Sequence, residues 1–208
     1  MKIFSTLFIL FICSLNAFSQ VRPIYLYGNQ VTKDKDKATS YAVYGKISTE
    51  DVWTFKRYDL YDNLIQTGSY ADESLTMAHG KFTFYSDITQ FNNIYQERFA
   101  LKGKTRFISQ EGNFVNGLEQ GKWFLFYPDG NVLSAQEFLD GKMHGIFITY
   151  DRFGVAVISG NYVNGEKHGE WSLEKGKVRE VYDMGILKSR EYTKKGKIVK
   201  GSVTNKNS

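Results

Sequence analysis

Residues 162–171 read YVNGEKHGEW, and the chain carries two further versions of this segment at a fixed spacing. FVNGLEQGKW occupies residues 114–123 and FLDGKMHGIF occupies residues 138–147, so each copy begins 24 residues after the previous one. An aromatic residue opens and closes every copy, and two glycines stand at the same places inside each. A fixed period of this length is typical of repeat proteins, in which each unit is one small supersecondary element.

Turn-forming residues explain the period. Asn116-Gly117, Asp140-Gly141 and Asn164-Gly165 are strong signals for tight β-hairpins, because glycine accepts the positive φ that such turns need. Between them, Asp129-Gly130 and Phe153-Gly154 supply a second set of turns. We therefore expect two strands and two turns in each unit, with the following repeat turn residues: Gly117, Gly121, Gly130, Gly141, Gly145, Gly154, Gly165 and Gly169.

The segments between the turns have the composition of strands. Residues 122–127 and 146–150 are rich in aromatic and β-branched side chains, which favour strand positions. No sustained apolar spacing of 3.6 residues follows residue 20, so almost no helix is expected. A single hairpin buries too little to be stable alone, so neighbouring units must stack. The sequence thus predicts an all-β fold, a single-layer antiparallel array of tandem β-hairpins.

The repeat pattern is strongest in the C-terminal half and decays upstream. Insertions at 73–78 and 87–94 break its register, and no shift in composition marks a second domain. The predicted organisation has five segments: a signal peptide at 1–19, a linker or loose first hairpin at 20–40, degenerate β-hairpin repeats at 41–110, regular 24-residue repeats at 111–187, and a basic tail at 188–208.

Residues 1–19 have the three-part layout of a secretory signal peptide. Lys2 gives a positive start, residues 3–15 form an apolar run, and small residues precede the expected cleavage site. The alternative is a retained anchor, but the run is shorter than the ~20 residues that cross a bilayer. We expect an exported protein, periplasmic or extracellular at the cell surface. Cleavage would remove Cys13, the only cysteine, and with it any disulfide or thiolate metal site.

The net charge of +5 is concentrated at the C-terminus. Residues 188–208 contain seven basic side chains and a single acidic one, Glu191. The simplest interpretation is a solvated end that discourages pairing with another molecule. The alternative is a weak contact with an anionic surface. A nucleic-acid partner is not expected for an exported protein.

The three repeat copies resemble a known family. YVNGEKHGEW at 162–171 and FLDGKMHG at 138–145 are similar to the variant MORN (membrane occupation and recognition nexus) repeat, and a weaker echo covers 41–86. Bacterial proteins built from this variant include the YwqK-like group, which is labelled as antitoxins of toxin–antitoxin systems. The resemblance implies a curved, single-sheet array of hairpins that binds partners and carries out no chemistry of its own.

Aromatic side chains recur in two columns and form the candidate binding surface. In a single layer of hairpins, stacking between units is the expected core role of these rings. The alternative is a surface that contacts sugars or partner side chains, and Trp171 is the residue that we expect to make such a contact. The candidate binding residues are Trp123, Phe147, Tyr162, Trp171 and Tyr182.

The three histidines, His79, His144 and His168, each precede a glycine. Equivalent residues of neighbouring units lie about 10 Å apart when two strands separate them at ~4.8 Å each, too far to share a zinc ion that needs ligands at ~2 Å. We interpret them as turn residues and expect no metal, no cofactor and no catalytic residue. No phosphate-binding loop or nucleophile elbow is present, so the chain is not expected to be an enzyme.

Two functions follow as hypotheses. The first is a non-catalytic protein-interaction module in the cell envelope or outside the cell, with a protein partner of unknown identity. The second is a glycan-binding or cell-wall-binding module, because the hairpin units with aromatic residues and Asp-Gly turns also faintly resemble bacterial cell-wall-binding repeats. Those repeats hold their ligands between the aromatic side chains of successive hairpins.

Overall fold

The computed structural model describes residues 22–46, 51–194 and 197–201. These residues form one open antiparallel sheet of 15 strands, in which strand order follows the sequence except that β1 lies between β2 and β3. The all-β, single-layer array of hairpins is therefore confirmed. The strands are β1 Arg22–Tyr27, β2 Gln30–Thr32, β3 Ser40–Lys46, β4 Trp53–Asp59, β5 Leu64–Tyr70, β6 Gly80–Asp87, β7 Arg106–Val115, β8 Leu118–Phe126, β9 Val132–Leu139, β10 Lys142–Tyr150, β11 Ala156–Val163, β12 Glu166–Leu173, β13 Val178–Asp183, β14 Ile186–Lys194 and β15 Lys197–Lys200.

Because consecutive strands from β3 onward are antiparallel neighbours, the turns between them fall alternately at the two ends of the strands. We call one the Asn-Gly end, with turns at 116–117, 140–141 and 164–165, and the other the Asp-Gly end, with turns at 127–131 and 151–155. At the Asn-Gly end both turn residues have positive φ, for example 51° at Asn116 and 83° at Gly117. This geometry matches the twist of the flanking strands and explains the Asn-Gly preference.

A repeated backbone hydrogen bond docks each Asn-Gly turn onto the preceding unit. The amide of the turn glycine donates to a carbonyl oxygen two strands away, at a place that recurs in each unit. This bond ties each hairpin to its predecessor, which is how an array without a second layer holds its spacing. The four bonds join Gly117 to Ala78 at 2.8 Å, Gly141 to Glu119 at 3.0 Å, Gly165 to Met143 at 2.7 Å and Gly185 to Lys167 at 2.8 Å.

The second glycine column does not form turns. Gly121, Gly145 and Gly169 lie inside β8, β10 and β12, where the register with the neighbouring strand shifts. Each has a positive φ, as large as 105° at Gly145. These glycines form β-bulges, in which an extra residue needs left-handed backbone. The prediction that Gly121, Gly145 and Gly169 are turn residues is therefore wrong, since they lie within strands.

One insertion forms a helix, which the periodicity does not predict. Helix α1, Ile88–Tyr95, begins at Asp87, whose Oδ1 accepts a hydrogen bond of 2.9 Å from the Gln90 amide. It ends at Gln96 in the left-handed conformation, with φ of 56°. Ile88 and Phe91 are buried on the same face of the helix. Two short 3-10 segments, Lys35–Lys37 and Glu174–Gly176, are the other helical elements of the described residues.

Both ends of the described chain belong to the sheet. Residues 22–32 form a hairpin whose longer strand also pairs with β3. Residues 188–194 and 197–200, expected to be part of a basic tail, continue the sheet as β14 and β15. The lysines of β15 are exposed, so they do not conflict with strand pairing. The predicted signal peptide and the end of the tail lie outside the described residues.

Two compact clusters and a row of rings make up the core. One cluster joins α1 to the Asp-Gly end through Phe91, Phe99, Phe107 and Tyr127. The other, centred on Phe55, lies near the start of the sheet. None of the described helices is long and apolar enough to cross a membrane.

Candidate functional site

The aromatic columns lie on one face of the sheet, and their largest members are buried. Trp123 is 2 % exposed and Trp171 is 1 % exposed, and each indole N–H donates to a backbone carbonyl oxygen at 3.2 Å. Phe147, Tyr162 and Tyr182 are half-buried. The structure therefore corrects the expectation that Trp171 contacts a partner directly, because its ring is covered by its neighbours. The tryptophans stack the units together.

Ring geometry also bears on the glycan hypothesis. The Trp171 ring meets Tyr162 at a centroid distance of 5.0 Å and an angle of 83°, and it meets Phe147 at 5.8 Å. Trp123 and Phe114 repeat the edge-to-face arrangement at 5.1 Å and 85°. These are contact distances for aromatic pairs. A sugar ring could enter only if these aromatic rings moved apart, so the two aromatic columns contain no space for a glycan.

Two of the three histidines accept a hydrogen bond from a turn of the next unit, whereas Nδ1 of His79 has no hydrogen-bond partner among the described residues. The Asn164 amide donates to Nδ1 of His144, and the Met184 amide donates to Nδ1 of His168, both at 3.4 Å. In the unit that lacks a histidine, Oε1 of Gln120 accepts the corresponding bond from Asp140 at 2.9 Å. The described residues contain no group of three or more potential ligands that could hold a metal ion.

The insertion between β6 and β7 builds a more distinctive feature. Residues 88–105 leave the sheet at the Asp-Gly end and are fixed at several points. The side chain of Asn92 exchanges two hydrogen bonds of 2.9 Å with the backbone of Phe99. Arg152, from a turn two hairpins further on, pairs with Glu97 at 3.2 Å and lies 4.9 Å from the Phe99 ring centre. A segment held in this way presents a preorganised surface.

A cavity of about 630 Å³ lies between this insertion and the sheet, and we call it the insertion pocket. Its volume falls within the range of ligand-binding clefts, roughly 300–1,000 Å³. Apolar side chains form much of its lining: Leu101, Phe107, Ile108, Phe126, Tyr127 and Pro128. Phe107 and Tyr127 are buried, whereas Ile108 is 41 % exposed and is available to a ligand.

Charged groups at the insertion pocket are mostly basic. Lys102, Lys104 and Arg106 line it together with Glu111 and Asp129. Glu111 is paired with Lys81 at 2.9 Å, and Asp129 accepts hydrogen bonds from Asn131. Lys102 and Lys104 are exposed, and no ion pair joins either to another described residue. The pocket thus combines an apolar floor with uncompensated positive charge at its rim.

Exposed rings accompany the pocket at the same end of the strands. Tyr61 is 87 % exposed and Phe153 is 82 % exposed, and both occupy the same position of their turns. The turn at 127–131 carries Asp129 at the equivalent position, so the exposed rings belong to two separate turns. Sequence reasoning missed the exposure of both rings, and it missed the insertion pocket because residues 88–105 lie outside the repeated columns. The break in the 24-residue register was the available signal.

No protein-family model matches the chain, and no curated protein matches it significantly by sequence. The fold and the geometry of the insertion pocket therefore carry the functional argument.

Proposed function

We propose that this protein is an exported, non-catalytic interaction module of the MORN-repeat type, which holds a segment of a protein partner at its insertion pocket. It acts in the periplasm or at the outer surface of the cell. The observation that carries the proposal is the insertion 88–105, which interrupts a regular array and adds a pocket to it. Loops that depart from a rigid scaffold are where repeat and other proteins place their binding residues.

The chemistry of the pocket supports an acidic segment with an apolar anchor side chain. The partly exposed Ile108 and the half-buried Phe126 offer an apolar contact. Lys102 and Lys104 at the rim attract carboxylates and would speed the encounter. Phe153, exposed in the next turn at the same end of the strands, adds a further apolar group outside the pocket. The partner is a protein rather than a nucleic acid, in keeping with the export that residues 1–19 predict.

The test is site-specific capture from a cell-envelope extract. The mature chain carries a photo-crosslinking phenylalanine analogue at position 108, inside the pocket, or at position 146 as a control. Ile146 is 54 % exposed and lies outside the pocket, so both probes reach solvent. The proposal expects one protein to be crosslinked from position 108 and not from position 146, through an acidic segment that mass spectrometry identifies.

Charge reversal provides a second readout. Lys102→Glu with Lys104→Glu is expected to weaken capture strongly, and most at low salt, because rim charges act over a Debye length. Lys56→Glu with Lys142→Glu changes the charge equally at exposed positions outside the pocket and should leave capture intact. Equal loss in both variants, no protein captured from position 108, or turnover of a substrate by the purified chain would overturn the proposal.

The glycan hypothesis is tested beside it through the exposed rings. Tyr61 and Phe153 could each stack on a sugar, as exposed aromatic side chains do in other binding modules. Sedimentation with peptidoglycan or surface polysaccharide, lost in Tyr61→Ala with Phe153→Ala, would favour this function. Absence of sedimentation with every polysaccharide would remove it.

A further inference from the structure

A second pocket lies near the start of the sheet, on the face that carries the aromatic columns. It is a cavity of about 330 Å³. Arg57 of β4 is the one charged side chain among the described residues that line it. The guanidinium is partly buried, and no carboxylate of the described residues forms an ion pair with it. Buried charges are ordinarily paired, so an unpaired arginine in a pocket calls for an explanation.

The hydrogen bonds of Arg57 leave part of its donor capacity unused. Nε donates to the Ser40 hydroxyl and Nη1 donates to the Asn29 side chain, both at 2.9 Å, and Nη2 donates to the Gly28 carbonyl oxygen. All three acceptors are neutral. A guanidinium has five N–H donors, so one on each Nη is left. Burial lowers the pKa of Arg57, and the interaction with Tyr70 offsets only part of this effect.

Most of the remaining lining is apolar and rich in aromatic rings, and its polar members are Asn29, Gln66 and Ser74. Phe55, Tyr70 and Phe82 form successive edge-to-face contacts at centroid distances of 5.4 and 5.5 Å, and all three line the cavity. Leu26 and Leu75 contribute aliphatic surface. A cavity lined mainly by such groups, with a single charged group to orient the ligand, has the usual composition of a small-molecule site.

The insertion at 73–78 gives the pocket a rigid wall. Asp72 accepts hydrogen bonds from the amides of Thr76 at 3.1 Å and Met77 at 2.6 Å, and from the hydroxyl of Ser74. These bonds, foremost that of Ser74, hold the pKa of the Asp72 carboxyl well below its usual range. The loop carries Leu75 against the Phe55 cluster. The wall is therefore formed by a fixed turn, which preserves the cavity in the absence of a ligand.

We infer that this pocket binds a small monocarboxylate with an apolar, aliphatic or aromatic body, whose carboxylate pairs with the two free N–H groups of Arg57. One N–H on each Nη can meet the two oxygens of one carboxylate, the bidentate geometry that arginine favours. The apolar body lies among the rings of Phe55, Tyr70 and Phe82. This site is distinct from the insertion pocket, so the inference does not depend on the function proposed above.

The test uses 3-phenylpropionate and octanoate as probes, each beside its neutral amide. Titration calorimetry measures affinity, and amide chemical shifts of the labelled protein locate the site. The acids are expected to bind about tenfold or more tightly than their amides, the usual discrimination of a charge-assisted hydrogen bond. The shifts should cluster around Arg57 and the loop at 73–78.

Variants separate the arginine from general effects of charge. Arg57→Gln is expected to lose most of the preference for the acids, whereas Lys56→Gln, an exposed neighbour that does not line the cavity, should retain it. Ala78→Leu, which fills the cavity, should weaken acid and amide alike. If Arg57→Gln does not fold, the acid–amide comparison and Ala78→Leu decide. No saturable binding of either acid, equal binding of acid and amide, or shifts centred elsewhere would overturn the inference.

Discussion

The indole of Trp171 lies directly against the backbone of Gly160 in the neighbouring strand. A Cβ at position 160 would be 2.1 Å from Cδ2 of the ring, closer than any non-bonded contact permits. Trp123 has the same relationship with Gly112, where a Cβ would lie 2.0 Å from Cδ2. Each tryptophan thus depends on the absence of a side chain in the strand that precedes it. Glycine is required at positions 112 and 160 because any side chain there would overlap the indole ring.

Gly160→Ala is accordingly expected to lower the free energy of unfolding by about 1–3 kcal/mol, the usual cost of overpacking a core. The added methyl group can be accommodated only if the Trp171 ring or the strand moves. Denaturant unfolding followed by circular dichroism measures the change. A cost well under ~0.5 kcal/mol, the range of an ordinary surface substitution, would show that the ring is not held where the structure places it.

The chain provides its own compensating pair. In the unit between the two tryptophans, the residue of the preceding strand that lies opposite Phe147 is Gln136. Gly112 and Gly160 hold the corresponding place for Trp123 and Trp171, so the smaller ring accompanies the larger partner. Gly160→Ala combined with Trp171→Phe should therefore cost less than the two single changes added together. A double-mutant cycle measures the coupling. Strict additivity would contradict the proposed contact.

Much of the fold could be predicted from the sequence, because its turn residues recur. The hairpins at Gly117, Gly141 and Gly165 follow from the positive φ that they require. The sequence predicts turns at Gly121, Gly145 and Gly169 because both turns and β-bulges require a positive φ. Only the pairing register of the strands distinguishes a bulge from a turn. The sequence does not predict β14 and β15 as strands, because their many basic residues obscure the alternation of apolar and polar side chains that indicates a strand.

The sequence does not predict helix α1 because the helix is short. Its eight residues are too few for a 3.6-residue period to be distinguished from a short apolar strand. Asp87 as a capping residue was the signal available.

The candidate sites were less predictable than the fold. The burial of Trp123 and Trp171 agrees with the core role that a single layer of hairpins implies for its aromatic rings, but spacing alone does not distinguish a core ring from a surface ring. The position of Arg57 is fixed by hydrogen bonds to Gly28 and Asn29. These two residues lie near Arg57 because the hairpin of β1 and β2 pairs with β3, and this pairing is not evident from the sequence. Pockets built by insertions depend on contacts that a repeated pattern does not encode.

His144 offers a test of turn docking by a side chain. Its Nδ1 accepts the Asn164 amide at 3.4 Å, the task that Gln120 performs in the preceding unit. His144→Gln should therefore leave the free energy of unfolding within ~0.5 kcal/mol of the native value. His144→Ala should cost ~0.5–1.5 kcal/mol, the net value of one hydrogen bond. Thermal and denaturant unfolding compare the two, and equal effects of Gln and Ala would argue against docking through the side chain.

Glu180 and Arg190 make a testable pair in the last part of the sheet. Glu180 is 3 % exposed, and Nε of Arg190 donates to its Oε1 at 2.6 Å. Arg190→Met leaves a buried carboxylate unpaired, and we expect a loss near the lower end of ~3–5 kcal/mol, since the guanidinium itself is partly exposed. Denaturant unfolding measures it.

Two comparisons make that measurement specific. Glu180→Met together with Arg190→Met leaves no uncompensated charge. It should therefore cost only ~0.5–1.5 kcal/mol, the net value of the hydrogen bond that the Tyr182 hydroxyl loses. Arg179→Met breaks an exposed pair with Glu170 and should cost ~1 kcal/mol or less. If Arg190→Met costs no more than Arg179→Met, the buried pair is not formed.

Tyr182 should make stability depend on alkaline pH. Burial, followed by the 2.8 Å hydrogen bond that its hydroxyl donates to Glu180, raises the pKa of Tyr182 from 10.0 to about 12. The unfolded phenol therefore loses its proton at a lower pH than the folded one. The stabilisation that Tyr182 provides is fully present below pH 10 and is lost as the pH rises towards about 12.

Tyr182→Phe tests whether the stabilisation by Tyr182 is lost as the pH rises. At neutral pH it should lower the free energy of unfolding by ~0.5–1.5 kcal/mol, the net value of the lost hydrogen bond. Because phenylalanine does not titrate, the difference between the two proteins should shrink between about pH 10 and about pH 12. Urea unfolding across this range measures the difference, with Tyr61→Phe, at an exposed tyrosine, as the control for the removal of a hydroxyl group. A gap that stays constant or widens for Tyr182→Phe would show that the folded state does not protect this hydroxyl.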